Sequence, residues 1–354
     1  MKQADKKLVL ENGMEFPGFG AGAANQVVGE LIFNTSVEGY QESLSDPANY
    51  QQIIVYTYPM IGQYGINRDD FVSIMPAAVG FVVHELCDTP SNFRSVKTVA
   101  DEFIQTFCPV VTGVDTRMIT RIIRDGGSLL GAIVDASVSR DDAMRMIREY
   151  KPSPCPVKDV SCKERRYVRT SHHRFDVVVL DCGVNGSIID ELNKRACNVT
   201  LAPYDATAGE LRGFDPDAIL ITNGPGSVSQ IPQTVEAVRT LRGTLPMLGL
   251  GLGCQLLAAT YGAKIEKLKC GHHGGRPVKS TENGRIYSAE HNYSNAIVDA
   301  PGLEVTFRDL TDGSVQGIRN VADKVVGYQF YPCGTPGPQD CSFLLDEFVK
   351  MMED

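Results

Sequence analysis

The pattern of apolar and polar positions in this chain changes period near residue 175. Before that point it runs in short strand-like stretches. LVLENGMEFPGFG reads as a hairpin with Glu11-Asn12-Gly13 at its turn, and ELIFNTS, QQIIVYTYP and AAVGFVVHEL read as further strands. Helical spacing appears from Val96 to Phe107 and from Met118 to Arg124, where Gly126-Gly127 stops the run. Ser139 then opens a last helix to about Tyr150. The pattern predicts a mixed α+β domain over residues 1–150.

From Asp176 the strands DVVVLD, NVTLAPY, AILITN and PMLGL alternate with helices starting near Ser187, Ala208 and Pro232. Such alternation predicts right-handed crossovers and a doubly wound, mostly parallel sheet, so the second domain, residues 175–354, is expected to be α/β. Shorter strands follow in AKIEKLK, RPVKST, RIYSAEH, LEVTFRD, SVQGIRN and VVGYQF, and a helix from about Asp340 to Met352 closes the chain. Residues 151–174 lie between the two patterns. Lys151-Pro152-Ser153-Pro154-Cys155-Pro156 and the basic run from Lys163 to Arg166 predict a polar linker there, with His172-His173 as a solvated pair at its end.

One stretch stands out, from Leu245 to Gly262. Pro246 to Leu250 reads as a buried strand, Gly251 to Gly253 as a tight turn and Cys254 to Tyr261 as a helix, which is the geometry of a nucleophile elbow. An elbow presents one residue at a strained apex, and here that residue is Gly251, without a side chain. Asn223-Gly224-Pro225-Gly226 falls at the end of the preceding strand, and both turns lie at carboxyl ends of strands, where ligands bind in such folds. GLGLG also invites a dinucleotide reading, but that fingerprint needs glycine where Cys254 stands, and no acid at the end of a following strand supports ribose binding.

Composition narrows the field. The chain has 354 residues, a net charge of -9, 22% charged and 43% hydrophobic residues, and no apolar run of bilayer length. Neither nucleic acid nor membrane is expected as a partner. The N-terminal segment lacks an apolar h-region, so a cytoplasmic location is expected. Ten cysteines without a C-x-x-C pair read as small buried hydrophobes, with no metal and no cofactor expected.

The elbow resembles that of class I glutamine amidotransferases, whose motif is G-[IVL]-C-L-G-H-Q-L-L-A where this chain has Gly249-Leu250-Gly251-Leu252-Gly253-Cys254-Gln255-Leu256-Leu257-Ala258. Around it the chain resembles the carbamoyl phosphate synthetase small-subunit family. Phe33-Asn34-Thr35-Ser36, Gly39-Tyr40-Gln41-Glu42, Asp46-Pro47, Tyr58-Pro59, Ser91-Asn92-Phe93 and Gly113-Val114-Asp115-Thr116-Arg117 carry that likeness. Asp115 also reads as a helix N-cap before Met118.

The resemblance implies glutamine hydrolysis by a Cys-His-Glu relay, but this chain replaces all three members. The nucleophile is Gly251, and the closing Q-G-H-P-E motif reads Gln329-Phe330-Tyr331-Pro332-Cys333, so His has become Tyr331 and Glu has become Cys333. Tyrosine, ionising near pH 10 when unperturbed, is a poor base at neutral pH. The resemblance places the oxyanion hole on the backbone N–H groups of Leu252 and Gly224, with Gly226 and Gln255 beside them. It places a substrate contact at Ala48, where the family has Ser. Its Q-N-H-G-[FY] segment reads Glu290-His291-Asn292-Tyr293-Ser294, and its N-G-P-G-D-P motif continues here as Ser227-Val228. These replacements count against glutamine binding.

Three readings follow from the resemblance. The chain is a scaffold or regulatory partner of a large ATP-using subunit that draws on free ammonia in pyrimidine or arginine synthesis. Alternatively it is a glutaminase with a relocated nucleophile, such as Cys254 with His291, or a pseudoenzyme holding another small metabolite in the old pocket. The family's G-H-H-G-G motif recurs as Gly271-His272-His273-Gly274-Gly275 and does not supply the catalytic histidine.

Overall fold

The Asn12-Gly13 turn sets the first hairpin. Gly13 takes φ +82°, its N–H donates to the Leu10 carbonyl, and β1 (Lys6–Leu10) pairs antiparallel with β2 (Glu15–Gly22). The computed structural model describes residues 3–353 except Met75 and Thr335, so the outer limits of the two expected domains, Met1 and Asp354, lie outside the described residues. It divides into two compact units, one reaching to Ser153 and including Lys269–His273, the other comprising Pro154–Leu268 and the chain from Gly274 on.

In the first unit the chain continues through β3 (Val27–Asn34), α1 (Tyr40–Ser45), β4 (Gln52–Tyr56), β5 (Gly80–Val82), α2 (Val99–Gln105), β6 (Pro109–Thr112), α3 (Thr116–Gly126), β7 (Leu130–Asp135) and α4 (Arg140–Glu149). The strands close into a barrel in the order β1-β2-β6-β5-β4-β3-β7. β3, β4, β5 and β6 are parallel neighbours, and the remaining pairings are antiparallel. The expected helices form where their caps stand. Thr98 makes a capping box with Asp101, Asp115 accepts the Met118 N–H at 2.9 Å, and Ser139 accepts the Asp142 N–H at 3.1 Å. The barrel was not expected. β6 and β7 are short and almost wholly buried, so they carry no alternation that marks a strand.

The second unit begins inside the span expected as linker, with α5 (Pro156–Val160) and β8 (Arg166–Val168). β9 (Phe175–Asp181), α6 (Gly186–Lys194), β10 (Cys197–Pro203), α7 (Ala208–Arg212), β11 (Ala218–Ile221), α8 (Pro232–Leu241), β12 (Met247–Leu250) and α9 (Leu252–Thr260) follow. Then come β13 (Lys264–Ser280), β14 (Ile286–Asp299), β15 (Glu304–Asp309), β16 (Val315–Asn320), β17 (Val325–Tyr328), β18 (Phe330–Tyr331) and α10 (Phe343–Lys350). The sheet order is β8-β10-β9-β11-β12-β17-β16-β15-β13-β14-β18. The run β10-β9-β11-β12-β17 is parallel.

Period-two alternation builds both faces of that sheet. Val177, Val179, Leu220 and Leu248 pack with α6 and α10, while Val178, Leu180, Ile219 and Met247 pack with α7, α8 and α9. Each such fully buried aliphatic side chain contributes roughly 1.5–3 kcal/mol. AKIEKLK and RPVKST were expected as separate strands but form the single strand β13. Gly271 to Gly275, which lies between those two stretches, belongs to the strand: its two histidines are buried and the backbone passes through, with Gly274 at φ +89°. Among the described residues no helix is long and apolar enough to cross a membrane.

The first unit also holds a carboxyl group in an unusual state. Glu42, on α1, has Oε2 buried without a hydrogen-bond partner among the described residues. Burial raises its pKa from 4.5 to about 7, the neighbouring Asp70 and Glu38 add to this, and its own backbone and Arg94 oppose it; Tyr40 and Tyr64 face it. A raised carboxyl binds its proton more tightly in the folded state. The stabilisation is therefore complete below pH 4.5 and lost as pH rises through 7. Glu42→Gln is expected to remove that loss, gaining up to about 3 kcal/mol over the charged form at pH 8 and little at pH 4.5. Denaturant melts of both proteins across this range check it, and parallel pH profiles would count against it.

Candidate functional site

The strand-turn-helix stretch forms as its sequence indicates, with the helix beginning earlier than expected, at Leu252. Gly251 is its N-cap, at φ +52° and ψ -113°, a conformation that L side chains rarely adopt. Its N–H donates to the Tyr328 carbonyl at 2.8 Å, which fixes the turn to β17.

The space above this apex is filled. A Cβ built on Gly251 would lie 2.1 Å from Oδ1, 2.3 Å from Cγ and 2.8 Å from Cβ of Asn223, so a side chain here collides with most of the asparagine rather than with its tip. Asn223 is 3% exposed, and its side chain makes three hydrogen bonds. Its Oδ1 accepts the Leu252 N–H at 2.9 Å, and its Nδ2 donates to the Asn292 carbonyl at 2.9 Å and to the Tyr331 hydroxyl at 2.7 Å. One amide therefore joins the elbow, β14 and β18. A buried amide satisfied on both sides resists displacement, because each group left unpaired costs about 1–3 kcal/mol.

The structure brings most of the sequence-predicted positions together around this amide. Tyr331 is buried on β18, its backbone paired with Glu290 of β14. Cys333 is buried two residues on, with Sγ 3.5 Å from the Ser187 hydroxyl. Gly224 follows Asn223 so close to β9 that an added Cβ would stand 2.0 Å from the Cys182 carbonyl oxygen. Gln255, on α9, donates to the Asn295 carbonyl at 2.7 Å and to Gln329 Oε1 at 3.2 Å, and Asn295 donates back to the Gly226 carbonyl at 2.9 Å. The Gln255 Oε1 is buried without a partner among the described residues. Ala48 belongs to the first unit, where it is buried in the short turn Pro47–Asn49 and donates its N–H to Asp46 Oδ1 at 3.0 Å.

Two expectations meet different geometry. The Leu252 N–H, expected as an oxyanion-hole donor that persists with the backbone, is already engaged by Asn223. Cys254 is fully buried in the core beneath the sheet, its Sγ 2.9 Å from where a Cβ on Gly327 would sit, and burial pushes its pKa up. His291 is also fully buried, and its ring nitrogens lie 3.0 Å from the Ala289 carbonyl and 3.2 Å from Gln316 Oε1. Among the described residues no group of three or more His, Cys, Asp or Glu side chains is placed to hold a metal.

Sequence reasoning marked the turn at Asn223 but gave its side chain no task. The available signal was an asparagine at the end of a buried strand, directly before Gly-Pro-Gly and facing a second turn whose apex lacks a side chain.

Against known proteins, residues 8–133 match the family model described as carbamoyl-phosphate synthase small chain, CPSase domain, and residues 178–351 match glutamine amidotransferase class-I. A carbamoyl phosphate synthase small chain of Staphylococcus haemolyticus is 42% identical over 356 residues, covering 98% of this chain and 96% of the relative. The carbamoyl phosphate synthase pyrimidine-specific small chain of Bacillus subtilis is 38% identical over 351 residues, with the same coverage of both. Among solved structures, a glutamine amidotransferase of Thermotoga maritima aligns with 51% of this chain and 85% of its own, at a TM-score of 0.39 and 16% identity.

The shared space of Gly251 and Asn223 has a measurable consequence. Gly251→Ala is expected to destabilise by about 2–4 kcal/mol, combining overpacking with the positive φ. Asn223→Ala is expected to cost about 1–3 kcal/mol through the Leu252 N–H it strands. The double variant is expected to lose at least about 1 kcal/mol less than the sum, because the second change removes the collision made by the first. Additive losses in denaturant melts would contradict the collision.

Proposed function

Because the chain belongs to the carbamoyl phosphate synthase small-chain family, we propose that it is a non-hydrolysing member, acting as scaffold or regulatory partner of a large ATP-using subunit. In this reading the large subunit takes its nitrogen from free ammonia and feeds pyrimidine or arginine synthesis. The observation that carries the reading is the occupied apex. Glutamine hydrolysis by an elbow needs a thiolate at the position of Gly251 and donors waiting for the developing oxyanion. Gly251 has no side chain, and Asn223 occupies both the space of one and the Leu252 N–H.

The other two members of the relay position offer no replacement. Tyr331 accepts a hydrogen bond from Asn223, and Cys333 packs within the hydrophobic core beside Ser187. An imidazole base to activate a nucleophile is missing from the place where the family motif puts it. A relocated thiol is disfavoured on the same physical grounds. Cys254 is sealed in the core, where burial stabilises the unreactive neutral thiol over the thiolate. The backbone scaffold, by contrast, is intact across the elbow and the sheet, which is what docking on another subunit requires.

The test is an assay of the purified chain alone and with its large subunit. Glutamate release from glutamine is expected at least about a thousandfold below that of a small chain with an intact relay, and Cys254→Ala is expected to leave it unchanged. Ammonia-dependent carbamoyl phosphate synthesis by the mixture is expected to exceed that of the large subunit alone. Glutamate release that Cys254→Ala abolishes would overturn the proposal.

A further inference from the structure

The barrel of the first unit carries a cavity of about 690 Å³ that the elbow chemistry does not use. Its place follows from topology. β4, β5 and β6 are parallel neighbours, and their carboxyl ends open onto it: Thr57 follows β4, His84 lies just beyond β5, and Asp115, Thr116, Arg117 and Arg121 come from the turn after β6 and the start of α3. Carboxyl ends of parallel strands, with a helix starting there, are where α/β folds take anionic ligands.

The lining has the matching chemistry. Arg117 and Arg121 stand one turn apart on α3, and neither guanidinium has an ion-pair partner among the described residues, although like charges at this spacing destabilise a helix. Asp115 is the acid in the lining, and its Oδ1 is already engaged by the Met118 N–H. His84 is held through Nδ1, 3.2 Å from the Val114 carbonyl. Thr116 supplies the independent pointer. It is 2% exposed and lines the cavity, and its hydroxyl is not committed to a hydrogen bond with another described residue. A threonine otherwise enclosed by protein therefore keeps its hydroxyl open to whatever occupies the cavity.

We propose that this cavity binds a phosphate monoester of a small metabolite. The two guanidiniums take the dianion, the Thr116 hydroxyl donates to one of its oxygens, and the α3 dipole favours the same charge. The cavity is far larger than a phosphate group and falls within the range of roughly 300–1,000 Å³ typical of small-molecule sites, so the attached group has room. This site is independent of the elbow and of the reading given to it.

The full chain is titrated by calorimetry with inorganic phosphate and with glycerol 3-phosphate at constant ionic strength. Saturable binding of the ester, several-fold tighter than inorganic phosphate, is expected. Arg117→Gln/Arg121→Gln is expected to weaken it at least tenfold, and Thr116→Val several-fold. Arg124→Gln/Arg145→Gln, which removes the same charge from exposed positions outside the lining, is expected to leave it unchanged. Unchanged melting temperatures without anion establish that the lining variants are folded, both arginines being surface residues. No saturable response to the ester, equal affinity for ester and inorganic phosphate, or equal weakening in both double variants would overturn the proposal.

Discussion

Asn223 and the absent side chain of Gly251 compete for one volume, and the second unit is arranged around that exchange. The amide sits where an apex side chain would project and uses both its N–H donors and its oxygen on groups drawn from the elbow, β14 and β18. Because the group is buried, each of those bonds is obligatory rather than optional. A turn that in an active enzyme stores strain under a nucleophile here carries no nucleophile. Its strained dihedrals fall on glycine, the residue for which they cost least.

The Leu252 N–H is satisfied from within the protein. Gln255, Asn295 and Gly226 extend the same bonding outward to the neighbouring loop. The result is a joint that ties helix, sheet and loops together.

Much of this was legible in the sequence, for identifiable reasons. The β9 run Val177-Val178-Val179-Leu180 is apolar at every position, as a strand covered on both faces must be, and its residues divide between the two cores as period two requires. Gly249-Leu250-Gly251-Leu252-Gly253 marked the elbow, which forms as a strand, a turn at Gly251 and a helix. The barrel was hidden because β6 and β7 are too short and too buried to show a period, and its closure depends on pairings distant in sequence. The continuity of β13 was hidden by Gly271, Gly274 and Gly275, which interrupt the apolar pattern between its two halves. Asn223 was hidden for a different reason: a side chain that fills the space of a missing one is defined by a contact 28 residues away, and no local pattern encodes that contact.

The central claim is that no thiol of this chain can attack glutamine. It is tested most directly by incubating the protein, with and without its large subunit, with an electrophilic glutamine analogue and measuring intact mass. The account predicts unmodified protein under conditions in which a small chain with an elbow cysteine is labelled once. A single stoichiometric adduct, mapped by peptide sequencing to Cys254 or Cys333, would contradict it.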